Sequence, residues 1–361
     1  MRSIFRTAIV SLGLVLPTAV LPQDLVPAQR FNLSADTDLP GGDLATLLDT
    51  TLEGCERACA TNESCTAFTF NSRNGSCFPK SDPGAPSFFQ GAFSGFAVKA
   101  DPAVQARAMA RRSDLGFLSD YDLAQATEQA KGLANLHTTN GWSAAEHLQS
   151  AREAEANGDV ALASNFAGAA LNAEDRADGW VEYARLLLAA GAPEGQNQRA
   201  FRERAFNAAI NGYLRAEPDG LRHSALVMLG EAAEVIDRGR DKVLALRLAQ
   251  RIQPRDDTAA LLEDAAGKYG FRVLEHEVQA DSVRPRVCAT FSEDLAESGV
   301  DYSSYVQLPE AGLTVEKGGY RQLCVGGMAH GARYALTFRE GLPAADGQGL
   351  LKSVALNVYV R

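Results

Sequence analysis

The side chains in this sequence best suited to covalent chemistry are its six cysteines, and they fall into two even groups. Cys55, Cys59, Cys65 and Cys77 form one; Cys288 and Cys324 form the other. Three chemistries compete for such residues: disulfide bonds, a zinc site and a reactive thiolate. Successive spacings of four, six and twelve positions lack the paired Cys-x-x-Cys knuckles of ordinary zinc sites. Even, local groups read as disulfide frameworks in an oxidising compartment. With every cysteine bridged, no thiol remains as a nucleophile.

Other catalytic constellations are missing. His276-Glu277 starts like a helical zinc-protease motif, but position 280 is Ala, so the second ligand is absent. His137, His147, His223 and His330 show no metal-ligand spacing with other His or paired acids and read as structural or exposed. Gly326-Gly327 and Gly341 are turn residues, because no Gly-rich loop leads into a helix carrying a phosphate-binding Lys. No Gly-x-Ser-x-Gly segment occurs. The sequence therefore predicts no enzyme activity, no metal and no cofactor.

Composition sets the frame for these residues. Of 361 residues, 46% are apolar and 22% charged, enough for a packed core in two or three domains. A net charge of -10 with no basic block argues against nucleic acid, whose non-specific affinity comes from Lys and Arg neutralising phosphates.

Residues 1–23 combine Arg2 and Arg6 with an apolar run from Thr7 to Leu21, the layout of a secretory signal peptide. The run is shorter than the roughly 18–20 residues of a membrane helix and contains Pro17. Cleavage near Ala19 or near Gln23 fits, and no adjacent cysteine would carry a lipid. A periplasmic or secreted location, without a stable membrane span after removal of the signal, is the expectation.

Residues 28–101 have the Gly, Pro, Asn and Phe content of short strands and turns around one helix, Leu52 to Thr61. Cys55 and Cys59, four apart, share a face of that helix. A strand at Ala67-Phe68-Thr69-Phe70 follows Cys65, and Cys77 opens the next after an Asn74-Gly75 turn. This layout predicts a nested pairing, Cys55 with Cys77 and Cys59 with Cys65. Loop closure gives the outer bridge about 3 kcal/mol, a large contribution in so small a domain.

Asp38-Leu39-Pro40-Gly41-Gly42-Asp43, then Cys-x3-Cys-x5-Cys-x-Ala-Phe-Thr-Phe and Gly-Ser-Cys-Phe-Pro-Lys, resembles the PAN/apple domain in its shorter four-cysteine bacterial form. Full apple domains often add a third disulfide between their termini, and this chain has no such pair. The resemblance implies binding to protein or glycan and assigns no contact residues.

Residues 102–279 are rich in Ala, Leu, Arg and Glu with helical periodicity, and read as all-helical. Ala151, Gly158-Asp159, Ala163 and Ala170, then Leu229-Gly230, Ala249 and Pro254, stand where small residues and turns of a 34-residue tetratricopeptide-like hairpin would. The stretch Trp180 to Pro218, with a loop at Gly191 to Gln198, departs from that pattern. Stacked hairpins of this kind serve either as a concave peptide-binding surface or as a rigid spacer.

Residues 280–361 switch to β-type alternation. Arg286 to Phe291, Leu323 to Val325, Tyr334 to Phe338 and Val354 to Val360 read as strands of a β-sandwich, two of them joined by Cys288 and Cys324. Closing that loop contributes about 4 kcal/mol. Phe291-Ser292-Glu293-Asp294-Leu295, Leu323-Cys324-Val325-Gly326-Gly327, His330-Gly331-Ala332-Arg333-Tyr334 and Gly341-Leu342-Pro343-Ala344-Ala345-Asp346-Gly347 resemble the first macroglobulin-like domain of bacterial alpha-2-macroglobulins.

That resemblance implies the amino-terminal portion of a periplasmic protease inhibitor. Its bait region and thioester would lie beyond Arg361, since no cysteine here is followed by Gln at the third place. The alternative is a stand-alone exported adaptor that binds protein or glycan. The predicted class is multidomain α+β: a disulfide-bonded PAN/apple-like domain, all-α hairpins and a C-terminal β-sandwich.

Overall fold

The computed structural model describes residues 24–361 except 193, 194 and 196; the signal segment read at residues 1–23 lies outside the described residues. The first unit is a four-stranded antiparallel sheet in the order β1-β4-β2-β3. Its strands are β1 (Gln29–Asp38), β2 (Ala67–Asn71), β3 (Ser76–Lys80) and β4 (Ser87–Lys99). One helix, α1 (Leu52–Ala60), packs against it; the Thr51 side chain starts the helix by accepting from the Gly54 N–H at 3.1 Å.

Between α1 and the sheet lies a compact apolar cluster of Phe31, Leu33, Phe68, Phe70 and four buried cysteines. Phe68 stands opposite Gly95 on β4, where a Cβ would lie 2.8 Å from the Phe68 ring. Glycine there lets the ring lie flat on the sheet. Phe31 meets the same ring edge to face at 5.1 Å.

Helices follow: α2 (Pro102–Ala110), α3 (Asp120–Leu136), α4 (Ala144–Ala156), α5 (Val160–Ala173), α6 (Ala177–Ala190), α7 (Gln198–Arg215), α8 (Asp219–Val235), α9 (Gly239–Ile252) and α10 (Asp256–Tyr269). Reciprocal capping boxes, Ser119 with Asp122 and Ser143 with Glu146, start α3 and α4. Gly158, at φ 82°, makes the left-handed turn between α4 and α5. Ala163, Ala167 and Ala170 are buried along α5, so neighbouring helices approach closely. One core runs through α2 to α9 and takes in Leu25 and Val26, just before β1.

The helical region ends earlier than the sequence reading placed it. Gly270 stops α10, and Val273–Gln279 is a strand, β5, not the end of the all-helical segment at residue 279. Four of its seven side chains are exposed because β5 lies at the edge of its sheet, which weakens the alternation that would mark it.

The remaining strands are β6 (Arg286–Phe291), β7 (Val306–Gln307), β8 (Thr314–Gly319), β9 (Gln322–Gly326), β10 (Arg333–Phe338) and β11 (Val354–Tyr359). They form two antiparallel sheets, β5-β6-β9-β8 and β11-β10-β7, around a shared apolar cluster. Phe291 of the first sheet meets Phe338 of the second edge to face at 5.6 Å. Among the described residues, no helix is long and apolar enough to cross a membrane.

Candidate functional site

The cysteines staple the first sheet to its helix. Cys55 of α1 is bonded to Cys77 of β3, with Cα atoms 5.5 Å apart. Cys59, one turn later on the same face, is bonded to Cys65 just before β2, with Cα atoms 5.3 Å apart. Cys288 and Cys324 are directly opposite on neighbouring strands β6 and β9 and are bonded. All six sulfurs are thus committed, and no group of side chains with metal-holding geometry occurs among the described residues.

The histidines are spread through the fold. His137 Nε2 pairs with the Tyr183 hydroxyl at 2.7 Å, His147 Nε2 with the Thr139 carbonyl at 3.0 Å, and His223 Nε2 with Thr258 Oγ1 at 3.1 Å. Burial holds all three below the usual imidazole range, with His137 pushed down to about 4. His276 and Glu277 lie exposed on strand β5 rather than on a helix. His330 is also exposed, its Nδ1 2.6 Å from the Arg361 carbonyl oxygen.

With α1 and the bridges on one face of the first sheet, the opposite face forms one wall of a groove of about 470 Å³. Strand register decides what it presents. Asn32 stands opposite Phe96, Ser34 opposite Ser94, and Thr37 opposite Phe88, so these side chains share a face. A bulge between Ala35 and Thr37 puts Asp36 at φ 49°, and Asp36 Oδ1 accepts from the Gly91 N–H at 2.7 Å.

The other wall comes from the loop between α3 and α4. Asn140 and Gly141, at φ 51° and 79°, turn the chain so that the Trp142 N–H donates to the Thr139 carbonyl at 2.9 Å. The loop is tied to the sheet: the Thr139 N–H donates to the Leu33 carbonyl at 2.9 Å, and Thr139 Oγ1 donates to Asn32 Oδ1 at 3.1 Å. Thr139 Oγ1 also shares a hydrogen bond with Ser34 Oγ at 3.0 Å. Trp142 lies parallel to Phe166 of α5, ring centroids 6.3 Å apart, and remains 49% exposed.

Phe88 and Phe96, also lining the groove, are 81% and 42% exposed. Large aromatic rings left open beside hydroxyl and amide groups are what a recognition surface offers a ligand with both apolar and polar faces. Sequence reasoning missed this groove. Its residues come from three segments far apart in the chain, and only the aromatic run Phe88-Phe89 before Gln90 and Gly91 carries a local signal.

A buried ionic cluster fixes β1 against the helices. Arg30 of β1 donates through Nη1 to the Asn172 carbonyl at 3.0 Å, and its Nε lies 3.9 Å from Asp175 Oδ2. Asp175 Oδ1 accepts from Arg215 Nε at 2.8 Å and from Trp180 Nε1 at 2.6 Å. Burial alone would raise the Asp175 pKa; the charges of Arg215 and Arg30, then these hydrogen bonds, outweigh it and hold the carboxyl below the usual range.

Two other cavities, about 320 Å³ among α4, α5 and α6 and about 540 Å³ between α10 and the loop before β11, carry charges that pair with each other. Arg176 meets Asp178 at 2.9 Å in the first, and Lys352 meets Glu263 in the second. They offer less for a ligand to satisfy.

A small antiparallel sheet stapled to one helix by two disulfides belongs to the class of disulfide-stabilised modules that form in oxidising compartments and whose stability rests on their bridges. Comparison with known families makes this specific: a PAN domain family model matches residues 37–80, and this segment is a PAN domain. The match runs from the end of β1 through β3. Such domains mediate protein or carbohydrate binding, and disulfides with a PAN domain fit an extracellular or secreted protein. No curated protein and no solved structure matches the chain.

Proposed function

We propose that this chain is an exported, non-enzymatic binding protein that recognises protein or glycan through the groove between its PAN-bearing sheet and the Thr139–Trp142 loop. The observation that carries the reading is the trio Phe88, Phe96 and Trp142, left open around one groove although burial would stabilise such rings by a few kcal/mol each. Commitment of all six cysteines to bridges, and of the buried histidines to structural hydrogen bonds, supports the non-enzymatic part.

The test is retention of the full chain on a panel of immobilised glycans and extracellular proteins, beside Phe96→Ser and Trp142→Phe variants. The reading expects retention that both substitutions weaken. Equal retention of all three forms would move recognition elsewhere.

The finer reading makes the chain the amino-terminal, positioning module of a periplasmic alpha-2-macroglobulin-like protease inhibitor. Two antiparallel sheets sharing one core and carrying the Cys288–Cys324 bridge favour it, as the sandwich architecture of a macroglobulin-like domain requires. Paired helices α4–α5 and α8–α9 fit degenerate tetratricopeptide-like hairpins acting as a spacer. The reading expects the gene to encode further macroglobulin-like domains after Arg361, in frame or adjacent; a stop codon with no such neighbour would sink it.

A further inference from the structure

We infer that the groove is a composite site for a neutral saccharide, one or two pyranose rings, built jointly by the PAN-bearing sheet and the helical region; this rests on the binding reading above. Charge decides the chemical class. No Lys or Arg lines the groove, and Asp36 is its single charged residue, with one oxygen committed to Gly91. In a chain of net charge -10, phosphate, sulfate, uronic acid or a polyanionic glycan finds nothing there to neutralise it.

An extended apolar peptide is a poor fit as well. Between the rings the wall is hydroxyl and amide: Asn32, Ser34, Ser94 and Thr139 all line it. The Ser94 and Thr139 hydroxyls are already bonded inside the protein. Covering the Asn32 and Asn140 amides and the Ser87 hydroxyl with apolar side chains, however, would strip their water and put nothing in its place. A pyranose answers both demands. Its axial C–H face lies against an aromatic ring, and its equatorial hydroxyls both donate and accept, which matches side chains that do the same. A volume of about 470 Å³ falls within the range for small ligands.

The composite character follows from the residue numbers. Phe88, Phe96 and Trp142 lie outside residues 37–80, so the site is not carried by the segment that defines the PAN domain. Trp142 is held at the groove by the Thr139 bonds to β1 and by its ring contacts with His147 and Phe166.

Trp142 also provides the readout. The chain's other tryptophan, Trp180, is buried, so emission changes that disappear in Trp142→Phe belong to the groove. Full-length protein is titrated with methyl glycosides of glucose, galactose, mannose, N-acetylglucosamine and N-acetylgalactosamine, and with methyl glucuronide as the anionic counterpart. The inference expects at least one neutral glycoside to change Trp142 emission saturably, with Kd on the order of 1 mM for so open a site. Phe88→Ser, at a ring already exposed and so without cost to the fold, weakens that binding roughly ten-fold.

Glucuronide binding as tight as that of its neutral counterpart would overturn the neutral assignment. No response to any neutral glycoside at about 50 mM, well above that Kd, would overturn the saccharide assignment. In that case, groove-dependent retention on an immobilised protein would leave the binding reading intact.

Discussion

Replacing Asp175 should damage this protein more than replacing either arginine that faces it. Arg30 and Arg215 have side chains 5% and 2% exposed, and Asp175 is the carboxylate between them. Asp175→Asn keeps the shape but leaves two buried guanidinium groups facing each other, which costs about 3–5 kcal/mol. Arg30→Met keeps most of the stem. It loses the hydrogen bond to Asn172 and a pair at 3.9 Å, while relieving repulsion from Arg215 and the burial of one cation. The balance is a loss of about 1–2 kcal/mol.

Urea titration at pH 7 in a Trp142→Phe background, followed by Trp180 emission, reads both variants, because the Trp180 indole donates directly to Asp175. Asp175→Asn should also lower Tm by roughly 10 °C. Because the folded carboxyl sits below its unfolded pKa, its contribution is present above that unfolded value and lost as pH falls through the folded one. Wild type and Asp175→Asn should therefore converge in stability at acid pH. If Asp175→Asn proved milder than Arg30→Met, or both cost under about 1 kcal/mol, the cluster would not fix β1 to the helices.

Three further outcomes follow from the geometry. Cys55→Ala with Cys77→Ala, closing a 22-residue separation, should cost about 3 kcal/mol in chemical denaturation, against about 2 kcal/mol for the Cys59–Cys65 pair with its separation of 6. His137, its pKa pushed down to about 4 by burial and then by Arg204, should stay neutral in proton NMR titrations until about pH 4. Stability from that burial is complete above about pH 6.5 and declines as pH falls towards 4, by up to about 3 kcal/mol. Glu56 on α1 is raised to about 7 by burial and by Glu53, so ionising it costs stability as pH rises from about 4.5 to 7. Glu56→Gln should accordingly stabilise the protein at pH 8, by about 1 kcal/mol, and not at pH 5.

What the sequence made legible was local. Helix α1 is marked by Cys55 and Cys59 one turn apart, and the turn after α4 by Gly158-Asp159. Strands β6, β10 and β11 sit on stretches of β-branched and aromatic residues. Strand β4 is longer than the short strands expected, because Gly91 and Gly95 obscure its pattern while serving a bulge and a close approach to Phe68. Strand β5 was hidden by its exposure at a sheet edge.

The groove was illegible for a different reason. Residues 34–37, 87–96 and 139–142 meet only through the long-range β1–β4 register and the Thr139 bonds to β1. No periodicity encodes such a meeting. Exposure of Phe88 and Trp142, which gives the groove its character, is a property of the folded surface and not of composition.

Hydrogen–deuterium exchange on the full chain tests the central claim most directly, with and without the methyl glycoside that changes Trp142 emission most. A recognition groove shared between sheet and loop predicts slower exchange at residues 34–37, 87–96 and 139–142 together, and unchanged exchange at the distant β5–β11 sheets. Protection confined to one wall, or centred on the cavity among α4, α5 and α6, would contradict it.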